Sequence, residues 1–167
     1  MKKVILLNGP SSAGKSTLSK CLQDIIEKRI NKRYEIVSID NFMKLAEDET
    51  IYEDDVFEIS GDMCVKTLEF LKEYDGVIID HVITSERIFS ELKNYLTDYD
   101  LKSVHVSCPL EVLLKREIER HNRCLGSAES SYTYLYPKEG YELTVDTNSH
   151  STLECTIEIF ENLILNC

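Results

Sequence analysis

Glycine and proline are scarce in this 167-residue chain, at 6 and 3. No stretch is compositionally degenerate, which excludes a collagenous, low-complexity or wholly disordered polypeptide. Positive charge is also short: 19 Lys and Arg stand against 30 Asp and Glu, a net charge of −11. Such a chain lacks the field that draws proteins to phosphate backbones or anionic lipid, so neither nucleic acid nor membrane is an expected partner. Long apolar runs are missing too. The longest span about four residues, as in Val4–Leu7, against roughly 20 for a bilayer-spanning helix. Lys2-Lys3 ahead of that run imitates the start of a secretion signal, but Asn8-Gly9 ends it too soon, and the expected location is the cytoplasm. The six cysteines form no CxxC pair and no Cys/His cluster at zinc spacing. They read as reduced, mostly small apolar side chains, with no metal site built from protein ligands alone.

With 43% hydrophobic residues, the chain has enough for a core, and its apolar pattern alternates between two periods. Short β-branched runs read as buried parallel strands: Lys3–Leu7, Glu35–Ile39, Val77–Ile79, Ser103–Ser107 and Leu143–Val145. Between them lie helical spacings: Leu18, Leu22, Ile25 and Ile26; Leu68 and Leu71; Ile88, Leu92 and Leu96; Leu110, Leu113 and Leu114. A last stripe, Leu153, Ile157, Phe160 and Ile164, opens with a capping-box pattern, Ser151-x-x-Glu154. Regular alternation predicts an α/β fold with a mainly parallel sheet and right-handed crossovers, over one domain spanning 1–167. Two segments fit the alternation poorly, the acidic 41–62 and the Ser- and Tyr-rich 124–140. Ligands of open α/β sheets bind beyond the carboxyl ends of strands, so these segments are candidate acceptor-side and lid elements.

After the first strand comes Gly9-Pro10-Ser11-Ser12-Ala13-Gly14-Lys15-Ser16-Thr17, the G-x-x-x-x-G-K-S pattern of a phosphate-binding loop, between a strand and a helix as that loop requires. The glycines let successive N–H groups turn toward phosphate oxygens, and the following helix adds its positive N-terminal end. Lys15 is expected to reach the β- and γ-phosphates, and Ser16 to hold Mg²⁺. No guanine-reading Asn/Thr-Lys-x-Asp motif is present, which disfavours a GTPase.

The second strand ends Ser38-Ile39-Asp40-Asn41 and the third Ile78-Ile79-Asp80-His81. Asp40 is placed to accept the proton of an attacking hydroxyl or to help hold Mg²⁺, the alternative being a helix N-cap. Asp80, ending a Walker-B-like run, is expected to act on Mg²⁺ through water, again with capping as the alternative. His81 reads either as a satisfied loop histidine or as a substrate contact. Arg116, Arg120 and Arg123 are spaced four and three apart, which puts them on one helical face. In an acidic protein this suggests a lid gripping phosphates; the alternative is a solvated face paired with Glu117 and Glu119.

These residues resemble the chloramphenicol phosphotransferase-like P-loop kinases, which are similar to shikimate, adenylylsulfate and nucleoside monophosphate kinases. The resemblance rests on Asn8-Gly9 with Ser11–Ser16, Asp40, Ile78-Ile79-Asp80, Arg116-Glu117-x-x-Arg120-x-x-Arg123, Tyr141–Thr147 and Leu153-Glu154-Cys155. It implies a five-stranded parallel sheet in the order 2-3-1-4-5 and ATP-dependent phosphorylation of a small-molecule hydroxyl, with ATP and Mg²⁺ as cofactors. It implies further that Lys15 and Ser16 bind phosphate and Mg²⁺ and that Asp40 is the base. Arg120 and Arg123 of a lid over about 116–136 would close on the phosphates, with the Asp146-Thr147-Asn148 turn near the adenine. His81 and Tyr136 stand where the antibiotic kinase has Asp and His, both near the expected acceptor position, so the resemblance leaves the acceptor open. Between Glu47 and Glu58 seven of twelve residues are acidic and none is basic. That reads first as a solvated loop; as a pocket wall it would favour a neutral or cationic alcohol. The remaining alternatives are a nucleoside, nucleotide or sugar-nucleotide kinase of the same fold, or a weakly catalytic regulatory ATP-binding module.

Overall fold

A computed structural model describes residues 1–43, 52–121 and 124–166. Five strands form one parallel sheet in the order β2-β3-β1-β4-β5, as expected: β1 (Lys3–Asn8), β2 (Tyr34–Ser38), β3 (Gly76–His81), β4 (Asp100–Ser107) and β5 (Leu143–Asp146). The helices are α1 (Lys15–Ile30), α2 (Glu53–Glu73), α3 (Glu86–Tyr95), α4 (Leu110–Arg120), α5 (Ser127–Tyr134) and α6 (Thr152–Ile159), the last continuing in a wider π turn over Phe160–Leu165.

Strand periodicity divides the core in two. Ile5 and Leu7 of β1 face α1, α4 and α6, packing with Leu18, Leu22, Leu113 and Phe160. Val4 and Leu6 face the opposite side with Met63, Ile88 and Leu92 of α2 and α3. A central parallel strand buried on both faces must be apolar throughout, which is why Val4–Leu7 carries no alternation. All four apolar positions expected on α1 are buried.

Two expectations are corrected. The acidic stretch is not simply a solvated loop: Glu53, Asp54 and Asp55 form the first turn of α2, where carboxylates favour the positive end of the helix. The part at 44–51 lies outside the described residues. On α6 the capping box forms, with Glu154 N–H donating to Ser151 Oγ and Ser151 N–H to Glu154 Oε1, both at 3.1 Å. Of the expected stripe, Phe160 and Ile164 are buried and Ile157 packs partly buried against the core, but Leu153 does not join them. Leu153 is 54% exposed, while Cys155, Ile159 and Leu163 with Thr156, Phe160 and Ile164 face the core. Among the described residues no helix is long and apolar enough to cross a membrane.

Candidate active site

The parallel register aligns the carboxyl ends of the central strands, with Leu7 beside Asp80 and Asn8 beside both His81 and His105. Asn8 then ties the surrounding loops together. Its Oδ1 accepts from the Ile83 N–H at 2.9 Å, and its Nδ2 donates to the Tyr136 carbonyl and the Tyr141 hydroxyl, both at 2.9 Å.

The loop from Gly9 to Ser16 starts so close to β4 that a Cβ on Gly9 would stand 2.4 Å from the Val106 carbonyl oxygen. Only glycine fits. Ser12 and Gly14 take left-handed backbone angles, φ 70 and 91, the alternation that curls consecutive N–H groups into a concave nest. Left-handed backbone is costly for serine and is retained where surrounding structure imposes it. The Lys15 ammonium donates to the Pro10 carbonyl at 2.8 Å across the loop. Gly9, Pro10 and Ala13 are buried behind the cleft; Ser11, Ser12, Gly14, Lys15, Ser16 and Thr17 line it.

This cleft has a volume of about 880 Å³. Asp80 stands in it, accepting from the Ser16 hydroxyl at 2.9 Å and the Ser38 hydroxyl at 3.3 Å. Since Ser85 caps α3, Asp80 is not an N-cap. Asp40, half-buried, lies inside a 3₁₀ turn (Ile39–Asn41) whose N-cap is Ser38, and it too lines the cleft. The capping alternative fails for both acids.

Arg116 and Arg120 line the same cleft. Arg116 is anchored, donating to the Ser12 carbonyl (3.3 Å), the Thr147 carbonyl (3.1 Å) and Thr147 Oγ1 (3.3 Å), while Thr147 Oγ1 donates to the Ala13 carbonyl at 2.6 Å. Arg120 is exposed at the end of α4, and Arg123 lies outside the described residues. Asp146 does not line the large cleft. Its carboxylate closes its own turn, accepting from Asn148 N–H (2.8 Å) and Ser149 N–H (3.2 Å), and these bonds hold its pKa below the usual carboxylate range.

His81 and Tyr136 are structural rather than cleft-lining. His81 is fully buried, its Nε2 3.0 Å from the Ser60 hydroxyl of α2. Burial, reinforced by the Lys15 charge, pushes its pKa down to about 3. Tyr136 packs edge-on against Phe89, its N–H donating to the Ile83 carbonyl at 2.9 Å. Sequence reasoning missed the acceptor-side lining Met43, Val56, Val82 and Thr84, and it missed Glu117 and Ser131. The apolar lining carries no motif. In sequence Glu117 reads only as a solvated partner of the arginines; its burial is visible only in three dimensions.

The residues present suit a nucleotide triphosphate. Helix α1 begins with no side-chain cap and no acid in its first turn, leaving its N–H groups for an outside anion. Ser11 Oγ and Ser12 Oγ are buried with no partner among the described residues. They suit Mg²⁺ as well. No group of three or more His, Cys, Asp or Glu that could hold a metal occurs among the described residues, but the Ser16–Asp80 pair offers the one or two oxygens that Mg²⁺ takes when phosphates and water complete its shell.

Comparison with solved structures returns kinases of this fold. The APS kinase of Mycobacterium tuberculosis, in complex with AMPPNP and APS, is 16% identical with a TM-score of 0.76, covering 97% of each chain. A gluconokinase from Sinorhizobium meliloti 1021 is 17% identical with a TM-score of 0.73, covering 97% of this chain and 91% of its own. Shikimate kinase from Acinetobacter baumannii is 18% identical with a TM-score of 0.63, covering 99% and 94%. No curated protein matches the sequence. The family model described as chloramphenicol phosphotransferase-like protein matches residues 2–164, and the chain belongs to that family.

Proposed function

We propose that the protein is an ATP-dependent O-phosphotransferase acting on a small neutral or cationic alcohol. The observation that carries this reading is the meeting of Lys15, Ser16, Asp40 and Asp80 in one cleft: a phosphate-binding loop facing two strand-end carboxylates. The loop N–H groups, the α1 terminus and Lys15 bind the triphosphate and stabilise charge on its γ-phosphoryl group. Ser16, with Asp80 beside it, would hold Mg²⁺, which supplies charge neutralisation at the phosphate oxygens when bound. Asp40 takes the proton of the acceptor hydroxyl as its oxygen bonds to the γ-phosphorus and the bond to the ADP oxygen breaks. Arg116 keeps the loop in shape, and Arg120, with Arg123, answers the phosphate charge from the lid.

The acceptor half of the cleft supports the substrate class. Among its described lining, Ile39, Met43, Val56 and Val82 are apolar, Thr84 adds a hydroxyl, Asp40 and Asp80 add negative charge, and no residue is basic. An acceptor carrying phosphate or carboxylate would lose hydration there without a counter-charge. Arg87, the first arginine after Arg33, is turned away, paired with Glu53 and Asp54 of α2.

The test is ADP release from Mg-ATP by wild type and Asp40→Asn, with and without chloramphenicol. Acceptor-stimulated release that disappears in the variant supports both the activity and the base. Stimulation that survives in Asp40→Asn removes Asp40 from that role, and nucleotide binding without turnover on any alcohol favours a regulatory module.

A further inference from the structure

Glu117 sits between Arg116 and the end of α4, yet it pairs with neither flanking arginine in the manner of a solvated face. It is 3% exposed, and its carboxylate accepts from the Gly126 N–H at 3.2 Å and the Ala128 N–H at 2.9 Å. Those are the N–H groups of the N-cap and of the second residue of α5, and the N-cap, a glycine, has no side chain to satisfy the helix terminus itself. A carboxylate from α4 therefore caps α5, its buried charge answered by two amides and the positive end of the helix. With eight residues, α5 is too short to persist by its own propensity, so this tie contributes to where it stands.

What α5 carries is Ser131. Its hydroxyl donates to the Ser127 carbonyl at 2.6 Å and accepts from the backbone N–H of Ser11 at 2.9 Å. A phosphate-loop amide is thus occupied by a side chain 120 residues away rather than left for a ligand. The next residue is held from the same quarter, since Arg116, the neighbour of Glu117, donates to the Ser12 carbonyl. Helix α4 therefore reaches consecutive loop residues twice, directly through Arg116 and indirectly through Glu117, α5 and Ser131.

We infer that Glu117 and Ser131 are positioning residues that set the shape of the phosphate-binding loop through α5, and that they govern nucleotide affinity more than the transfer step. The inference rests on the proposed nucleotide-binding role of the loop. It is tested by the dissociation constant of a fluorescent ADP analogue together with kcat at saturating Mg-ATP. Ser131→Ala raises Kd about tenfold, the scale of one lost hydrogen bond to a buried amide, while kcat falls less than threefold. Ser131→Thr, which keeps the hydroxyl, restores Kd to within about threefold. Glu117→Gln weakens binding in the same direction and speeds hydrogen exchange across 126–134 with the amides of β1 and β3 unaffected. The double variant binds no worse than Ser131→Ala alone, because Glu117 acts on the loop only through the hydroxyl that α5 presents. Unchanged affinity in Ser131→Ala, or effects that multiply in the double variant, would overturn the inference while leaving the kinase reading intact. Failure of the wild-type protein to bind the analogue would overturn both.

Discussion

The two halves of the cleft are built on opposite plans. On the phosphate side the framework is tied by directional bonds, Lys15 to Pro10, Ser16 to Asp80, the Ser11 N–H to Ser131, and Arg116 to Ser12 and Thr147, while the start of α1 stays uncapped. On the acceptor side the lining is Ile39, Met43, Val56 and Val82 with a half-buried Asp40, a surface shaped by packing. A triphosphate presents the same oxygens to every enzyme that uses it, so a rigid nest of donors suits it. On the proposed reading an acceptor alcohol would meet an apolar wall with few directional groups, the usual construction of a small-molecule pocket. Precision on one side and permissiveness on the other is the division of labour that the proposed function assigns to this cleft.

Substitutions ranked by size can break or sharpen that contrast. The largest effect belongs to Lys15→Ala, which removes both a loop tie and the cation that the proposed function sets against the γ-phosphoryl group. It should lower kcat/KM for ATP by about 10³-fold, read by ADP release, and a loss under tenfold would mean the phosphate side is less committed than its bonding implies. Gly9→Ala drives a Cβ into the Val106 carbonyl and should cost about 3 kcal/mol, seen as a clear fall in thermal midpoint. An unchanged midpoint would show that the loop can shift away from β4.

Next comes His81, buried at the carboxyl end of β3 against α2. Its pKa is pushed down to about 3 by burial and the Lys15 charge, so the unfolded chain binds a proton that the folded chain refuses. The stability this provides is full above about pH 6.5, the ordinary imidazole value, and is lost progressively as pH falls toward about 3. The urea midpoint of wild type should therefore drop between pH 7 and pH 5 more steeply than that of His81→Gln; parallel curves would contradict the burial. The smallest effect is expected from Val56→Ala on the acceptor side. Half-buried on α2, it should cost about 1 kcal/mol or less and leave ADP affinity within about twofold. The change should appear in the KM of the acceptor.

The same contrast decides what could be read from the sequence. The phosphate loop was legible because its chemistry is local: strand, turn and helix are contiguous from Lys3 to Ile30, and the residues that bend the backbone are those that name the motif. The strand-end acids were legible because each closes an apolar strand run, and the parallel register sets Asp80 beside Leu7, just before the loop. Glu117 and Ser131 were not, since their meaning lies in contacts between positions 11, 117, 126 and 131 that no spacing announces. Nor was the start of α2, where charge suggested a loop while Glu53–Asp55 serve the helix terminus. Leu153 was misread as core because helical phase was extrapolated back into the first turn of α6, where the backbone presents it to solvent. His81 was ambiguous in sequence; only burial against Ser60 made it structural.

The central claim is that Asp40 activates an uncharged or cationic alcohol toward the γ-phosphoryl group of ATP. It is tested most directly by label transfer from γ-labelled Mg-ATP to acceptors differing in charge: chloramphenicol and other neutral alcohols, protonated amino alcohols, and the acids shikimate and gluconate. The account predicts labelled product from a neutral or cationic acceptor, reduced at least 100-fold in Asp40→Asn while ADP binding persists. Transfer confined to the acidic acceptors, or undiminished in Asp40→Asn, would contradict it.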